Sequence, residues 1–144
     1  MSETPRVGVL MFIASRAIET RVIAAVRDAG FTGITLAQAR LAARIAESGS
    51  RLSDLAEQGQ VTKQTATHLV DQLEKAGLVE RAVDPSDARA RLVRFTAKGK
   101  EIVTIAEATE ATIYAEWTER LGPGRMTQLH EILTELRPLT DPFM

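Results

Sequence analysis

The sequence predicts a mainly α-helical fold with one small β-hairpin set between its fourth and fifth helices. Three observations carry that expectation. Apolar residues recur at steps of three and four over most of the chain, the mark of helices with one buried face. Short runs of β character occur at Leu78 to Val83 and Leu92 to Phe95. Between them lies DPSDARAR, a turn-forming segment that opens on two aspartates and a proline and then sets two arginines close together.

The elements follow in order. From Val7 to about Ala29, the residues Val7, Leu10, Met11, Ala14, Ala17, Ile18, Val22, Ala25 and Val26 keep helical steps until Gly30 and Gly33 break them. Thr35 and Gln38 have the spacing of a capping box, in which a hydroxyl and an amide each satisfy a backbone N–H; a second helix should then run to about Ala46. After the loop at residues 47–50, Ser53 is a candidate cap for a short helix ending at Gly59. Thr62 is placed to cap the next helix, about 15 residues and roughly 22 Å long. Ala66, Leu69, Val70 and Leu73 share one face of it, and Gly77 stands at its C-terminal stop. Beyond the hairpin, Thr96 begins a long helix to about Leu121, striped by Ile102, Val103, Ala106, Ile113 and Trp117. Leu121-Gly-Pro-Gly124 ends it, and Met126, Leu129, Ile132, Leu133 and Leu136 mark a last helix.

Composition narrows the function. A chain of 144 residues that is 44% apolar suits one core. No run approaches the roughly 18 apolar residues of a membrane helix, and MSETPR lacks the basic-then-apolar layout of a signal peptide, so a cytoplasmic location is expected. The absence of cysteine excludes disulfides, thiolate nucleophiles and cysteine zinc sites. His68 and His130 are the only imidazoles, and neither stands in a nucleophile or metal-ligand pattern. With no glycine-rich phosphate loop either, no enzyme, cofactor or metal site is expected. The net charge of −1 conceals an uneven distribution. Residues 62–100 hold eight Lys/Arg against five Asp/Glu, whereas residues 101–144 hold three against eight. A modest basic patch therefore sits on a chain that is otherwise neutral or acidic, which suits an anionic partner for the middle of the chain.

That middle segment has the internal logic of a helix-turn-helix. In DLAEQGQVTKQTATHLVDQL, small Ala56 lets two helices approach and Gly59 permits a left-handed turn. Val61 plugs the corner, and Ala66 and Leu69 pack the second helix on the first. The hairpin that follows Gly77 then stands as a wing.

The stretches LSDLAEQGQVTKQTATHLVDQLEKAGLVER and DPSDARARLVRFTAKGKEIV, within residues 52–103, resemble the winged helix of the multiple-antibiotic-resistance regulator (MarR) family. The resemblance rests on Glu74-Lys-Ala-Gly-Leu-Val79, Asp84-Pro85, Asp87-Ala-Arg89 and Phe95-Thr-Ala-Lys-Gly99. It implies a winged helix-turn-helix domain at residues 35–100, an N-terminal dimerisation helix at 1–34 and C-terminal dimerisation helices at 101–144. It also implies a homodimer that binds a pseudo-palindromic operator on double-stranded DNA, commonly as a repressor released by a small ligand. Helix length argues separately for a second copy: helices of about 23 and 25 residues each span roughly 35 Å, more than a domain of this size is wide.

The candidate DNA-reading residues follow. On the helix from Thr62, the face opposite the core shows Lys63, Gln64, Thr67, His68 and, one turn on, Asp71. Glutamine pairs bidentately with adenine, threonine offers a hydroxyl or methyl to a base edge, and lysine reaches phosphate or guanine. Ser53, Thr62 and Thr65 complete this side of the set, with Thr65 within reach of a phosphate. His68 stands where the family often has arginine and supplies one donor without fixed charge. Gln72 departs from a basic residue in the same way. In the family's pattern an aspartate two residues before an arginine braces it at the wing tip, from which it enters the minor groove. Asp87 and Arg89 match, with a carboxylate–guanidinium fork as the expected brace. Ala88 departs from a frequent arginine, Arg91 is a second candidate, and Arg94 is expected to brace the wing or touch backbone.

For an effector, the resemblance places a pocket near the first, second and fifth helices. Met11, Phe12 and Trp117 are apolar candidates to line it, and a small lipophilic or aromatic acid is the ligand implied. His130 reads as a surface or interface residue. The alternative function is a winged helix used as a protein-interaction or architectural module without an effector. The two differ in whether one palindrome is preferred over bulk DNA.

Overall fold

The computed structural model describes residues 3–143; Met1, Ser2 and Met144, the outermost residues of the expected terminal segments, lie outside it. The order is α1 (Val7–Asp28), α2 (Leu36–Ala42), β1 (Ser50–Arg51), α3 (Leu52–Gly59), α4 (Lys63–Lys75), β2 (Val79–Asp84), β3 (Asp87–Phe95), α5 (Ala97–Leu121) and α6 (Pro123–Thr140). The mainly helical fold with a winged helix-turn-helix is as the sequence predicts, with a third strand added.

Capping chemistry sets most helix starts. Thr35 and Gln38 form the expected capping box of α2, each bond 3.2 Å long. Thr62 Oγ1 accepts the Thr65 N–H at the head of α4, and Thr96 Oγ1 accepts that of Gly99 at the head of α5. Two expectations need correction here. Helix α2 ends at Ala42 rather than Ala46, because Arg44 and Ile45 bond three residues back and tighten the chain out of the α-helix. The tightening tucks Ile45 into the core and aims the following loop at the sheet. Ser53 is not a cap. Helix α3 starts two residues earlier than that cap implies, directly from β1, with Arg51 at the cap position making no side-chain bond.

The third correction concerns the turn between α3 and α4. Gly59 is the last helical residue, and the left-handed conformation falls on Gln60, at φ 52°. A β-carbon at Gly59 would make only an ordinary contact, 3.4 Å from Leu41 Cδ1, so neither space nor backbone conformation requires glycine there. Gln60 bears the strain of the corner. Val61 follows half-buried against the core, its N–H bonded to the Ala56 carbonyl.

The sheet has strand order β1-β3-β2 and is antiparallel throughout, with Ser50 opposite Val93 and Val79 opposite Phe95. Strand β3 begins at Asp87, five residues before the expected Leu92, because Asp87 and Arg91 pair with Asp84 and Val83 of β2 despite the weak strand propensity of the run between them. One core joins the layers. Leu55, Ala66 and Val70 are fully buried, with Leu41, Leu73, Val79 and Val93 beside them, and Val26 of α1 and Ile102 and Ile105 of α5 packed into the same cluster. Ion pairs reinforce the attachment of α1, from Arg21 to Glu116 on α5 and from Arg40 on α2 to Glu19.

The end of α4 and the start of α5 meet at one junction. Gly77, at φ 78°, and Leu78 close α4 with a Schellman motif, their N–H groups bonding the Glu74 and Leu73 carbonyls. The Leu78 carbonyl accepts the Thr96 N–H, and the Thr96 hydroxyl donates to the Gly77 carbonyl at 2.6 Å. Gly99 then passes directly under Leu78. A β-carbon on Gly99 would fall inside the Leu78 carbonyl oxygen and lie 2.9 Å from Phe95 Cδ1. Gly99→Ala therefore has to push α5 off the wing, and a loss of about 1–3 kcal/mol or more is expected, measured by urea denaturation. A stability equal to that of the parent would show the junction to be loose.

Candidate nucleic-acid interface

The helix-turn-helix and the wing present one continuous set of candidate residues. On α4, Lys63, Gln64, Thr65 and His68 are exposed, while Thr67 is half-buried. The Thr62 hydroxyl is engaged twice, accepting the Thr65 N–H and donating to Thr65 Oγ1 at 2.9 Å. Thr62 thus shapes the helix start, and the Thr65 hydroxyl keeps its own proton for an outside acceptor. Thr67 Oγ1 donates to the Lys63 carbonyl at 2.8 Å, which leaves its methyl group as the part able to meet a base. Ser53 lies in the first turn of α3, exposed, away from the cap role expected of it. Asp71 is occupied by Arg81 and is not a free reading group.

The wing turns at Pro85 and Ser86, and its geometry differs from the expected fork. Asp84 pairs with Asp87 and Val83 with Arg91, so Ala88, Arg89 and Ala90 bulge from β3 without cross-strand partners. Asp87 Oδ1 accepts the backbone N–H of Arg89 at 3.0 Å, not its guanidinium. The aspartate therefore fixes the bulge and leaves the arginine head exposed. Among the described residues, neither Arg89 nor Arg91 has a carboxylate within ion-pair distance. The other arginines of the sheet are all engaged. Arg94 bonds Glu80 across the strands at 2.8 Å, and Arg81 joins β2 to Asp71 and Glu74 of α4 at 2.7 and 2.8 Å.

The anchor beside the wing turn has no counterpart in the sequence reading. Asp84 is buried and receives the Ser86 N–H and hydroxyl on Oδ1 and the Arg51 guanidinium on Oδ2. The bonds from Ser86, then that from Arg51, hold its carboxyl below the ordinary 3.8. The local signal was the Asp-x-Ser spacing of a side-chain-stabilised turn. Arg51, 33 residues away, had none. Gln38 and Gln72 were likewise not foreseen as partners; their amides bond at 2.9 Å between α2 and α4.

Behind the interface lies an open cleft of about 740 Å³. Val22, Ile23 and Val26 of α1, Ile34, Leu73, and Ile102 and Val103 of α5 supply apolar walls; Gln38, Lys100, Glu107 and Glu110 supply polar ones. Met11, Phe12 and Trp117 do not line it. Met11 and Phe12 are exposed at the far end of α1, and Trp117 is half-buried edge-on to Tyr114. The step of three and four placed Met11 and Trp117 on apolar stripes, but the cleft lies toward the C-terminal end of α1 and the N-terminal half of α5, beside α2. His130 is exposed on α6.

A helix-turn-helix with a basic wing defines the class: a DNA-binding winged-helix regulator. A model of the MarR family matches residues 32–90. Over 110 residues, 75% of either chain, the sequence is 33% identical to the HTH-type transcriptional regulator FarR of Neisseria gonorrhoeae. Similar solved structures include transcriptional regulator Tm0710 from Thermotoga maritima, with a TM-score of 0.65, 27% identity and 93% of each chain covered. NadR in complex with 4-hydroxyphenylacetate gives a TM-score of 0.70 at 28% identity, covering 94% of this chain and 95% of that one. The chain belongs to the MarR family of transcriptional regulators, which are not enzymes. Among the described residues, no helix is long and apolar enough to cross a membrane.

Two outcomes are expected of the wing. Because the Asp84 carboxyl is depressed on folding, its stabilisation is fully present above the ordinary value of 3.8 and is lost as pH falls through the lower folded value. Asp84→Asn should therefore be less stable than the parent at neutral pH, with the gap closing in acid, as read by urea denaturation at each pH. Removing the free guanidinium by Arg89→Ala should leave stability unchanged and weaken operator binding by about 1–3 kcal/mol. Unchanged affinity would exclude Arg89 from the interface.

Proposed function

We propose that the protein binds a pseudo-palindromic operator as a homodimer and represses transcription there, with α4 in the major groove and Arg89 in the minor groove. The observation that carries this reading is the division among the arginines of the winged region. Arg51, Arg81 and Arg94 are paired and hold the wing in place, while Arg89 and Arg91 at its tip have no carboxylate partner among the described residues. Unpaired guanidiniums on a rigid frame favour phosphate and groove contacts that supply the missing negative charge. On α4, Lys63, Gln64, Thr65, the Thr67 methyl and His68 are the groups available to base edges and phosphates.

The second copy is supported by what the chain leaves uncovered. Val7, Leu10, Met11 and Phe12 on α1 and Ile132, Leu133, Leu136 and Leu139 on α6 are all exposed, and no residue of α6 is buried. Apolar surface on that scale at both termini suits an interface between two copies. The cleft supports regulation by a small lipophilic or aromatic acid. Its volume lies in the usual range for such ligands, its walls are largely apolar, and Lys100 offers a cation to a carboxylate. The NadR structure holds one acid of this kind.

The test is titration of the purified protein against operators taken from a genome-wide binding selection, with random DNA as competitor and at several salt concentrations. Competitor-resistant binding is expected, its log–log salt slope steepening by about 0.9 for each phosphate contact, and sedimentation should give two chains per operator. Binding no tighter than to random DNA would favour the interaction or architectural module instead.

A further inference from the structure

A chain of hydrogen bonds runs from the head of α2, through the buried Gln38, to the exposed face of α4. The Thr35 N–H donates to Gln38 Oε1 at 3.2 Å. Gln38 Nε2 lies 2.9 Å from Gln72 Oε1, and Gln72 Nε2 lies 3.1 Å from His68 Nε2. The direction of every bond is forced from the Thr35 end. A backbone N–H only donates, so Gln38 must turn its oxygen to Thr35 and its amino group to Gln72. Gln72 must answer with its oxygen and present its own amino group to His68. His68 Nε2 must then be an acceptor, which leaves the ring proton of neutral His68 on Nδ1.

We propose that Gln38 and Gln72 are positioning residues that set the tautomer and ring orientation of His68, so that α4 offers DNA an Nδ1–H donor. The proposal rests on the DNA-binding reading above and adds to it the residues that decide what His68 presents. Gln38 is only 9% exposed and sits inside the α2 capping box, so its amide has little freedom to turn. Gln72 is exposed and one helical turn from His68, so by itself it has no preferred amide direction. The order imposed on Gln72 comes from α2.

The tautomer is measurable without DNA. Long-range nitrogen-15 NMR of the full chain at roughly pH 8, above the ordinary imidazole range, distinguishes Nδ1–H from Nε2–H, and the His130→Gln variant identifies the His68 signals. The parent should show Nδ1–H, the form that isolated histidine disfavours. Gln72→Glu places an acceptor-only group against Nε2 and should move the proton there. Gln38→Leu, which touches neither His68 nor the DNA-facing surface, should also release the ring to Nε2–H and lower operator affinity about 3- to 10-fold. An Nε2–H parent, or a Gln38→Leu protein that keeps Nδ1–H, overturns the relay. A shifted tautomer with unchanged operator affinity overturns the role of the relay in DNA contact. A parent that binds no operator at all would count against the DNA reading, while the NMR result would still decide the relay.

Discussion

The placement of the recognition helix and its wing depends on the close approach of the Gly99 backbone to the Leu78 carbonyl. Within a few residues of that contact, α4 ends, β2 begins, β3 ends and α5 begins. The Leu78 carbonyl accepts the Thr96 N–H, the Thr96 hydroxyl donates to the Gly77 carbonyl and accepts the Gly99 N–H that it caps, and Lys98 Nζ donates to the Ala76 carbonyl at 3.1 Å. Backbone polar groups at two helix termini, which would otherwise need water, thus satisfy one another. Because the contact is between main chains, there is no side chain whose rotation would relieve it. Motion of α5 is therefore passed to α4 and the wing as motion of a body.

The polar groups of the winged region fall into two sets with different work. Arg51 with Asp84, Arg81 with Asp71 and Glu74, and Arg94 with Glu80 connect neighbouring elements by charge-assisted bonds. Each pair is at least partly solvated, so its value lies more in fixing geometry than in adding stability. The remaining set, Lys63, Gln64, Thr65, Arg89 and Arg91, is exposed. Asp87 mediates between the two: it shapes the bulge that carries Arg89 through a backbone bond, so the arginine gains a defined origin without losing its charge to a neighbour. A carboxylate–guanidinium fork would have compelled DNA to displace that carboxylate first.

Much of this was legible in the sequence because it is local. The caps at Thr35, Thr62 and Thr96 lie within three residues of their partners, and the stripe of α4 repeats often enough to identify a face. What escaped reading depends on contacts between distant segments. A two-residue strand such as β1 has no period, and its existence follows from β3 lying beside it. Gly59 carries the usual signal of a left-handed turn, yet it stays helical and the positive φ falls on Gln60. The run from Asp87 to Arg91 reads as loop by propensity, yet it lies within β3, paired at its two ends and bulged between them. The Gln38–Gln72 bond joins residues 34 positions apart and leaves no trace in either neighbourhood.

Helix α6 carries Ile132, Leu133, Leu136 and Leu139 on its surface and buries none of its residues. Isolated helices of about this length are marginal in water, and within the chain α6 rests on α5. In the proposed homodimer, ordering of α6 and meeting of the two subunits become a single equilibrium, and dilution acts on the protein as a denaturant would. The number of molecules in the cell then enters the affinity for a two-fold site twice over, once through DNA and once through the integrity of the helices that hold the two reading heads apart.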